Sequence, residues 1–286
     1  MKSQIDIAYY SGTGGTRRVA NQFRKQLLDL DICVNVTDIS NPEREVLSRA
    51  QLLILLFPVH ASNAPLPVIK WLNELEHTYD KAAVICVSGG GEMPPNTGAR
   101  EGCIKLLQKK GTDVFYENMI IMPSNWIVGV PDTVALTLLQ VLPEKVTSMI
   151  DSIVSGKRRR VMPLFIDQIF SLLLKIEHVG AKILGKSMIV DDKCNGCSLC
   201  AKSCSTQNIK MVNNKPVFNN KCSLCLSCIY VCPKKAISLK YLKGIVVKEG
   251  YDLSRLEEML PLDRDIDIRQ EIKGFIWYGV RKYLNE

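Results

Sequence analysis

No uncharged apolar run in this 286-residue sequence reaches the roughly eighteen residues that a membrane-spanning helix requires. The first apolar stretch, Ile5–Tyr10, is too short for a secretory leader and is interrupted by Asp6, so a cytoplasmic setting is expected. Histidine is scarce: His60 falls in a loop, while His77 and His178 read as surface or packing residues. No Ser/His/Asp or paired-carboxylate constellation is legible, which leaves no footing for triad or two-carboxylate hydrolysis. The Gly-Lys-Ser/Thr ending of a triphosphate-binding loop is absent, and so is the G-x-G-x-x-G dinucleotide fingerprint. The formal charge is +8, yet there is no aromatic platform or recognition-helix signature to suggest nucleic acid.

What the chain has is cysteine in register. Of eleven cysteines, eight fall in two runs with one spacing: Cys194, Cys197, Cys200, Cys204, then seventeen residues later Cys222, Cys225, Cys228, Cys232. A cubane needs thiolates at tetrahedral corners, and a tight C-x2-C-x2-C loop can aim three at one cluster. The fourth cysteine of each run then points away, toward the other cluster. Zinc is the alternative for paired C-x2-C, but it gives no reason for a third and fourth cysteine at repeated offsets. The segment resembles the two-cluster bacterial-type ferredoxins over about fifty residues. That resemblance implies two [4Fe–4S] clusters, one on Cys194, Cys197, Cys200 and Cys232, the other on Cys222, Cys225, Cys228 and Cys204. Cys204 is followed by Ser205 where the family has proline. The three remaining cysteines, Cys33, Cys86 and Cys103, read as small buried apolar residues.

The first half alternates strand and helix patterns. Strands are expected at Ile5–Tyr10, Cys33–Asp38, Leu52–Phe57, Ala83–Ser88 and Val114–Met122. Helices are expected at Arg17–Leu30, Leu66–His77, Thr97–Lys110 and Thr133–Val154. Such alternation predicts α/β architecture, a doubly wound parallel sheet, followed by a small α+β cysteine module. Ligands of such sheets bind at the carboxyl ends of the strands. There, Ser11-Gly12-Thr13-Gly14-Gly15-Thr16 joins the first strand to the first helix and offers backbone N–H groups and hydroxyls to an anion. Three further loops reach the same end: Pro58-Val59-His60-Ala61-Ser62-Asn63, Ser88-Gly89-Gly90-Gly91-Glu92, and Pro123–Ile127 with Asn125 and Trp126.

Ser11–Thr16 resembles the phosphate loop of flavodoxins. With the cysteine runs, residues 1 to about 240 look like the flavodoxin–ferredoxin fusion proteins found mainly in anaerobes. The resemblance implies a flavodoxin-like domain holding FMN, its phosphate on residues 11–16 and its ring between the 58–63 and 88–92 loops. Trp126 and His60 are the candidates to stack on the ring. The plainer reading of Ser11–Thr16 is a strand-to-helix turn without a flavin.

Four segments are expected: 1–155, the flavin domain; 156–190, a basic and amphipathic helical linker; 191–240, the two-cluster domain; and 241–286, a C-terminal helical extension. Residues 156–190 hold 7 Lys/Arg against 2 Asp/Glu and residues 191–243 hold 9 against 2, whereas 1–155 and 244–286 each carry −2. The basic run ahead of an apolar helix at 157–184 suits peripheral contact with an anionic membrane. A connecting helix packed between domains is the blander and preferred reading. The charge of 191–243 points to an acidic redox protein as partner. Three functions fit: an electron carrier between the clusters and FMN, a ferredoxin-fed flavin reductase of a small molecule, or a redox sensor or scaffold.

Overall fold

The structure, a computed structural model, describes residues 4–41, 50–163, 167, 177–248, 250–262 and 267–285. Strands β1 (Gln4–Tyr9), β2 (Cys33–Asp38), β3 (Leu52–Pro58), β4 (Lys81–Ser88) and β5 (Asp113–Ile121) form one sheet. Their order is β2-β1-β3-β4-β5 and every pair is parallel. β3 shows why: it is apolar throughout because both its faces are covered. Ile54 and Leu56 point into a core with α1 (Gly15–Asp29) and α4 (Asp132–Val154). Leu53, Leu55 and Phe57 point into another, with α2 (Leu66–Glu74) and α3 (Glu101–Lys109). This is the flavodoxin-like doubly wound arrangement, with the strand order reversing beside β1 and β3.

Some expected boundaries move for identifiable reasons. α2 stops at Glu74, not His77, where Leu75 turns extended and Lys110 Nζ donates to the carbonyl oxygens of Asn73 and Leu75. His77 therefore lies in a loop, edge-on to Tyr79 at 4.9 Å. The helix expected from Thr97 begins as a 3-10 turn, Asn96–Arg100, and becomes α-helical only at Glu101. Cys86 and Cys103 are buried as expected, but Cys33 is exposed, because it opens β2 at the margin of the sheet.

The basic run folds back onto the first domain. Arg159 N–H donates to Phe115 O at 3.0 Å, and Glu117 N–H donates to Arg159 O at 2.9 Å. Arg158 pairs with Asp113, Arg159 with Glu92 and Arg160 with Glu117. Beneath them Arg100, fully buried, bridges Glu117 and Glu92 at 2.6 Å each. These arginines are thus directed at carboxylates of their own domain. Most of the apolar stretch that follows, 164–176 apart from Asp167, lies outside the described residues.

The cysteine module begins with α5 (Glu177–Lys186), whose Ala181 and Leu184 pack with Leu224, Leu226 and Leu239. Two antiparallel pairs frame it: β6 (Met188–Val190) with β9 (Ile237–Leu239), and β7 (Ile209–Val212) with β8 (Lys215–Phe218). The two cysteine runs have one backbone trace. Positive φ recurs two residues after the first cysteine, at Gly196 and Leu224, and four residues after it, at Ser198 and Leu226. One-turn helices follow at equal offsets, α6 (Leu199–Lys202) and α7 (Ser227–Tyr230). Gln207 and Lys235, each three residues past the fourth cysteine, again have positive φ.

The tail is not one long helix. It breaks into α8 (Leu253–Glu257), α9 (Ile268–Glu271) and α10 (Tyr278–Asn285), with Pro261 and left-handed Gly274 between them. All three lie on the first domain. Leu253 and Leu256 join the α1/α4 core, while Ile272 and Val280 pack with Ile121, Val134 and Leu138.

Candidate functional site

A cleft opens at the carboxyl ends of β1, β3, β4 and β5. It is lined by Ser11, Gly12, Thr13, Gly15 and Thr16, by Pro58, Val59 and His60, by Val87, Ser88 and Gly89, and by Met122 to Trp126. The loop at residues 11–16 is built from inside. Ser11 Oγ accepts from Gly14 N–H at 3.2 Å and Arg17 N–H at 3.3 Å, and Gly14, at φ 93°, turns the chain into α1. The first N–H groups of α1 have no intrahelical acceptor and face the cleft, which favours an anion there. The two cations beside the loop are shared with carboxylates: Arg17 leans to Asp38 at 3.9 Å, and Arg18 donates to Gly14 O at 3.4 Å while gripping Glu257 at 2.5 and 2.7 Å.

Most of the sequence-selected residues meet in this cleft, and a few do not. Gly14 stays out as the helix cap. Ala61 lines a smaller adjoining cavity with Val59, His60, Asn125 and Trp126. Ser62 is buried and directed at Asn96, while Asn63 closes its own turn through the carbonyl oxygens of His60 and Ala61. Gly90 and Gly91 face the tail, where Gly279 comes so close to Gly90 O that no side chain fits at 279. Gly89 lies tight against Ser124 and admits no Cβ either. Trp126 lines the cleft, and its indole N–H is buried without an acceptor in the protein. The residues present fit a flavin mononucleotide: an anion cradle at one end, and Trp126, His60 and apolar Val59, Val87 and Met122 around the rest.

Behind the cleft stand the cysteines. Cys194, Cys197, Cys200 and Cys232 ring one cavity with Met211 and Ile237. Cys222, Cys225, Cys228 and Cys204 are mutual electrostatic neighbours in a second group, and Cys228 also feels Cys200. Backbone N–H groups donate to sulfur in both groups: Ala236 to Cys232 at 3.3 Å, Asn208 to Cys204 at 3.2 Å, Leu224 to Cys222 at 3.3 Å. The thiols of the first group stand around a space, which suits a polynuclear cluster. Burial pushes the Cys222 thiol up to about 11 and raises Cys200, Cys225 and Cys228 as well. Binding of a metal cation to such thiols displaces their protons.

The two halves meet where neither half alone would suggest it. Gly12, in the anion loop, has Cys225 against its α-carbon: a Cβ there would come within 2.5 Å of Cys225 Cβ and 3.4 Å of its sulfur. Cys225 itself lines the cleft. Tyr10, next after β1, makes hydroxyl–hydroxyl bonds to Ser205 at 2.8 Å and Ser223 at 3.0 Å, and both serines neighbour the Cys225 sulfur. Ser205, the residue found in place of proline, is thus a contact between domains. Asn125 Nδ2 donates to Thr13 Oγ1 at 2.9 Å and to Cys225 O at 3.4 Å, and Tyr230 Oη donates to Asn125 O at 2.7 Å. Tyr251 reaches the cleft from the tail. Sequence reading missed Cys225, Tyr251, Val87 and Met122 as cleft residues. For the last two, adjacency to the chosen loops was a usable signal; for the first two there was none.

Residues 186–246 match the family described as a 4Fe-4S dicluster domain. An uncharacterised polyferredoxin-like protein of Methanocaldococcus jannaschii is 40% identical over 67 residues. That match takes in 23% of this chain and 30% of the relative, so the chain spans under a third of the curated relative it matches. Among solved structures, a Fusobacterium nucleatum flavodoxin bound to flavin mononucleotide is 18% identical with TM-score 0.38, over 54% of this chain and 98% of that one. A flavodoxin from the domain Archaea is 15% identical with TM-score 0.38, over 53% and 99%. The chain joins a flavodoxin-like domain, assigned by strand order and direction, to a ferredoxin-like dicluster domain.

Proposed function

We propose that the protein is an electron carrier linking two [4Fe–4S] clusters to one FMN, and so one-electron to two-electron redox partners. The observation that carries this reading is the contact of Gly12 with Cys225, which gives the flavin cleft and one cluster site a common wall. Cys204, Cys222, Cys225 and Cys228 would hold the cluster next to the cleft. Cys194, Cys197, Cys200 and Cys232 would hold the one farther out, whose Cys197 is exposed to solvent. The clusters supply single-electron steps and the flavin can take one or two; the chain sets their spacing and surroundings. Its own contributions are the N–H donors on the cysteine sulfurs, the Gly12–Cys225 contact between the sites, and the anion cradle. No helix among the described residues is long and apolar enough to cross a membrane.

The outer cluster is the proposed port for a protein partner. Lys193, Lys202, Lys210, Lys215, Lys221, Lys234 and Lys235 are all exposed on this module. Lys215 Nζ lies 3.5 Å from Cys194 O, and Lys234 and Lys235 follow the Cys232-Pro233 corner. An acidic redox protein matches that surface, and complementary charge chiefly raises its encounter rate. The decisive experiment is an iron, acid-labile sulfide and flavin count on anaerobically purified protein. Eight iron, eight sulfide and one FMN are expected per chain from eight thiolates at this spacing and one anion cradle. Two zinc ions and no sulfide would refute the cluster reading, and protein that neither retains nor rebinds FMN would refute the flavin reading.

A further inference from the structure

Resting on the flavin reading above, we infer that Tyr251, from the segment after the cysteine module, is a binding residue for the phosphate end of the flavin. Its hydroxyl completes the cradle begun by residues 11–16. The Tyr251 hydroxyl stands over the first turn of α1, 3.4 Å from where a Cβ on Gly15 would lie, and it lines the same cleft. It neighbours Thr13, the hydroxyl that accepts from Asn125.

The position is held from both sides. Upstream, Ile127 N–H donates to Ile245 O at 2.8 Å, Val247 N–H donates to Tyr230 Oη at 3.0 Å, and Val247 abuts Gly129. Downstream, Asp252 caps α8 through the N–H groups of Ser254 and Arg255, and Arg18 clamps Ser254 and Glu257. Leu253 and Leu256 are buried in the α1/α4 core. The Tyr251 ring rests against Tyr230 at 5.8 Å. A phenol fixed in this way loses little freedom on meeting a ligand.

The chemistry fits a phosphate monoester. Burial holds the phenol in its neutral form, so it is a hydrogen-bond donor throughout the physiological range. Both nearby arginines are paired with carboxylates, Arg17 with Asp38 and Arg18 with Glu257, so neutral donors share the work of holding the anion. A donor aimed at a charged oxygen makes a shorter and stronger bond than a neutral pair. Tyr251 belongs to neither expected domain, yet it would make flavin affinity depend on the tail being docked.

The test is flavin titration of the full chain with its clusters intact and the flavin removed, read by quenching of flavin fluorescence. FMN is compared with riboflavin, which lacks the phosphate. Tyr251→Phe should raise the Kd for FMN about tenfold, the effect of one bond to a charged group, and leave riboflavin unchanged. Unchanged cluster absorbance verifies that the variant is folded. As a second readout on the native protein, FMN but not riboflavin should slow hydrogen exchange at residues 250–257. Unchanged or tighter FMN binding by Tyr251→Phe would overturn the assignment and make Tyr251 a spacer or a plug. Equal weakening of both ligands would also overturn it, placing the role in ring packing. Wild-type protein that binds neither ligand would refute the flavin reading itself, an outcome seen before any variant is made.

Discussion

Replacing Gly12 by alanine isolates the contact between the two halves. Gly12 lies outside the left-handed region, so alanine suits its backbone and only the added methyl acts. That methyl would stand 2.5 Å from Cys225 Cβ, whereas ordinary contact begins at 3.4 Å. Loop and cysteine module must therefore separate by close to the difference, about 0.9 Å. Neither side yields easily, since Asn125 ties Thr13 to Cys225 O and Tyr10 is bonded to both serines. Forcing a methylene into such a joint costs about 1–3 kcal/mol. Alanine also restricts the unfolded chain, which offsets about 0.4–1 kcal/mol. A net loss of about 0.5–2 kcal/mol is expected, seen as a lower denaturant midpoint under anaerobic conditions with cluster absorbance as the probe. In rapid mixing with a one-electron donor, flavin reduction that follows cluster reduction should slow relative to wild type. A Gly12→Ala protein with wild-type stability and wild-type transfer rate would refute the shared wall.

Tyr10→Phe removes two hydroxyl–hydroxyl bonds and should cost about 0.5–1.5 kcal/mol for each; freeing Ser205 and Ser223, which neighbour the Cys225 sulfur, should shift the reduction potential of the inner cluster while leaving the outer one unmoved. Redox titration followed by low-temperature spectroscopy checks both clusters in one sample. At Glu92 burial acts to raise the pKa, but Arg100 and Arg159 outweigh it and leave the carboxyl below its usual range. A depressed folded pKa contributes stability that is complete above the ordinary glutamate range and is lost as pH falls through the depressed value. Arg100→Met should cost about 3–5 kcal/mol by leaving buried carboxylates short of a partner and should flatten that acid limb, which denaturation midpoints between neutral pH and pH 3 would reveal. Converting Lys234 and Lys235 to Gln should slow second-order cluster reduction by an acidic donor at low salt and not at high salt, where the screening length is a few ångströms. Insensitivity to both salt and mutation would remove the docking surface.

Periodicity was enough for the first domain because its inner strands are buried on both faces and its helices on one, so each of these elements announces its own environment. The cysteine module was legible for a different reason: its offsets repeat, and the repeat reappears in the backbone as matched positive-φ positions at Gly196 and Leu224, Ser198 and Leu226, Gln207 and Lys235. What stayed hidden was every contact between the parts. Ser205 looked like a departure from a pattern because its partner, Tyr10, lies 195 residues away. Gly12 looked like a phosphate-loop glycine, a role that accounts for a missing side chain without pointing to Cys225. The tail was expected to be helical; Pro261 and Gly274 divide it, and Leu253, Leu256, Ile272 and Val280 seat its pieces on the first domain.

The pairing of Arg159 with β5 has a consequence for how copies of this chain behave at high concentration. β5 is the last strand of the sheet, and a last strand offers unpaired N–H and C=O groups on which a second molecule can assemble. Here Phe115 O and Glu117 N–H are already taken by Arg159, while Arg158 and Arg160 place charge on either side. The segment behaves as a selvedge: it closes the margin with main chain and guards it with guanidinium groups. A one-residue deletion between Ser155 and Lys157 would turn the register, free those two groups and point an arginine the wrong way. Such a variant should keep its cofactor sites, which lie at the far end of the strands, and still be the one that aggregates during purification.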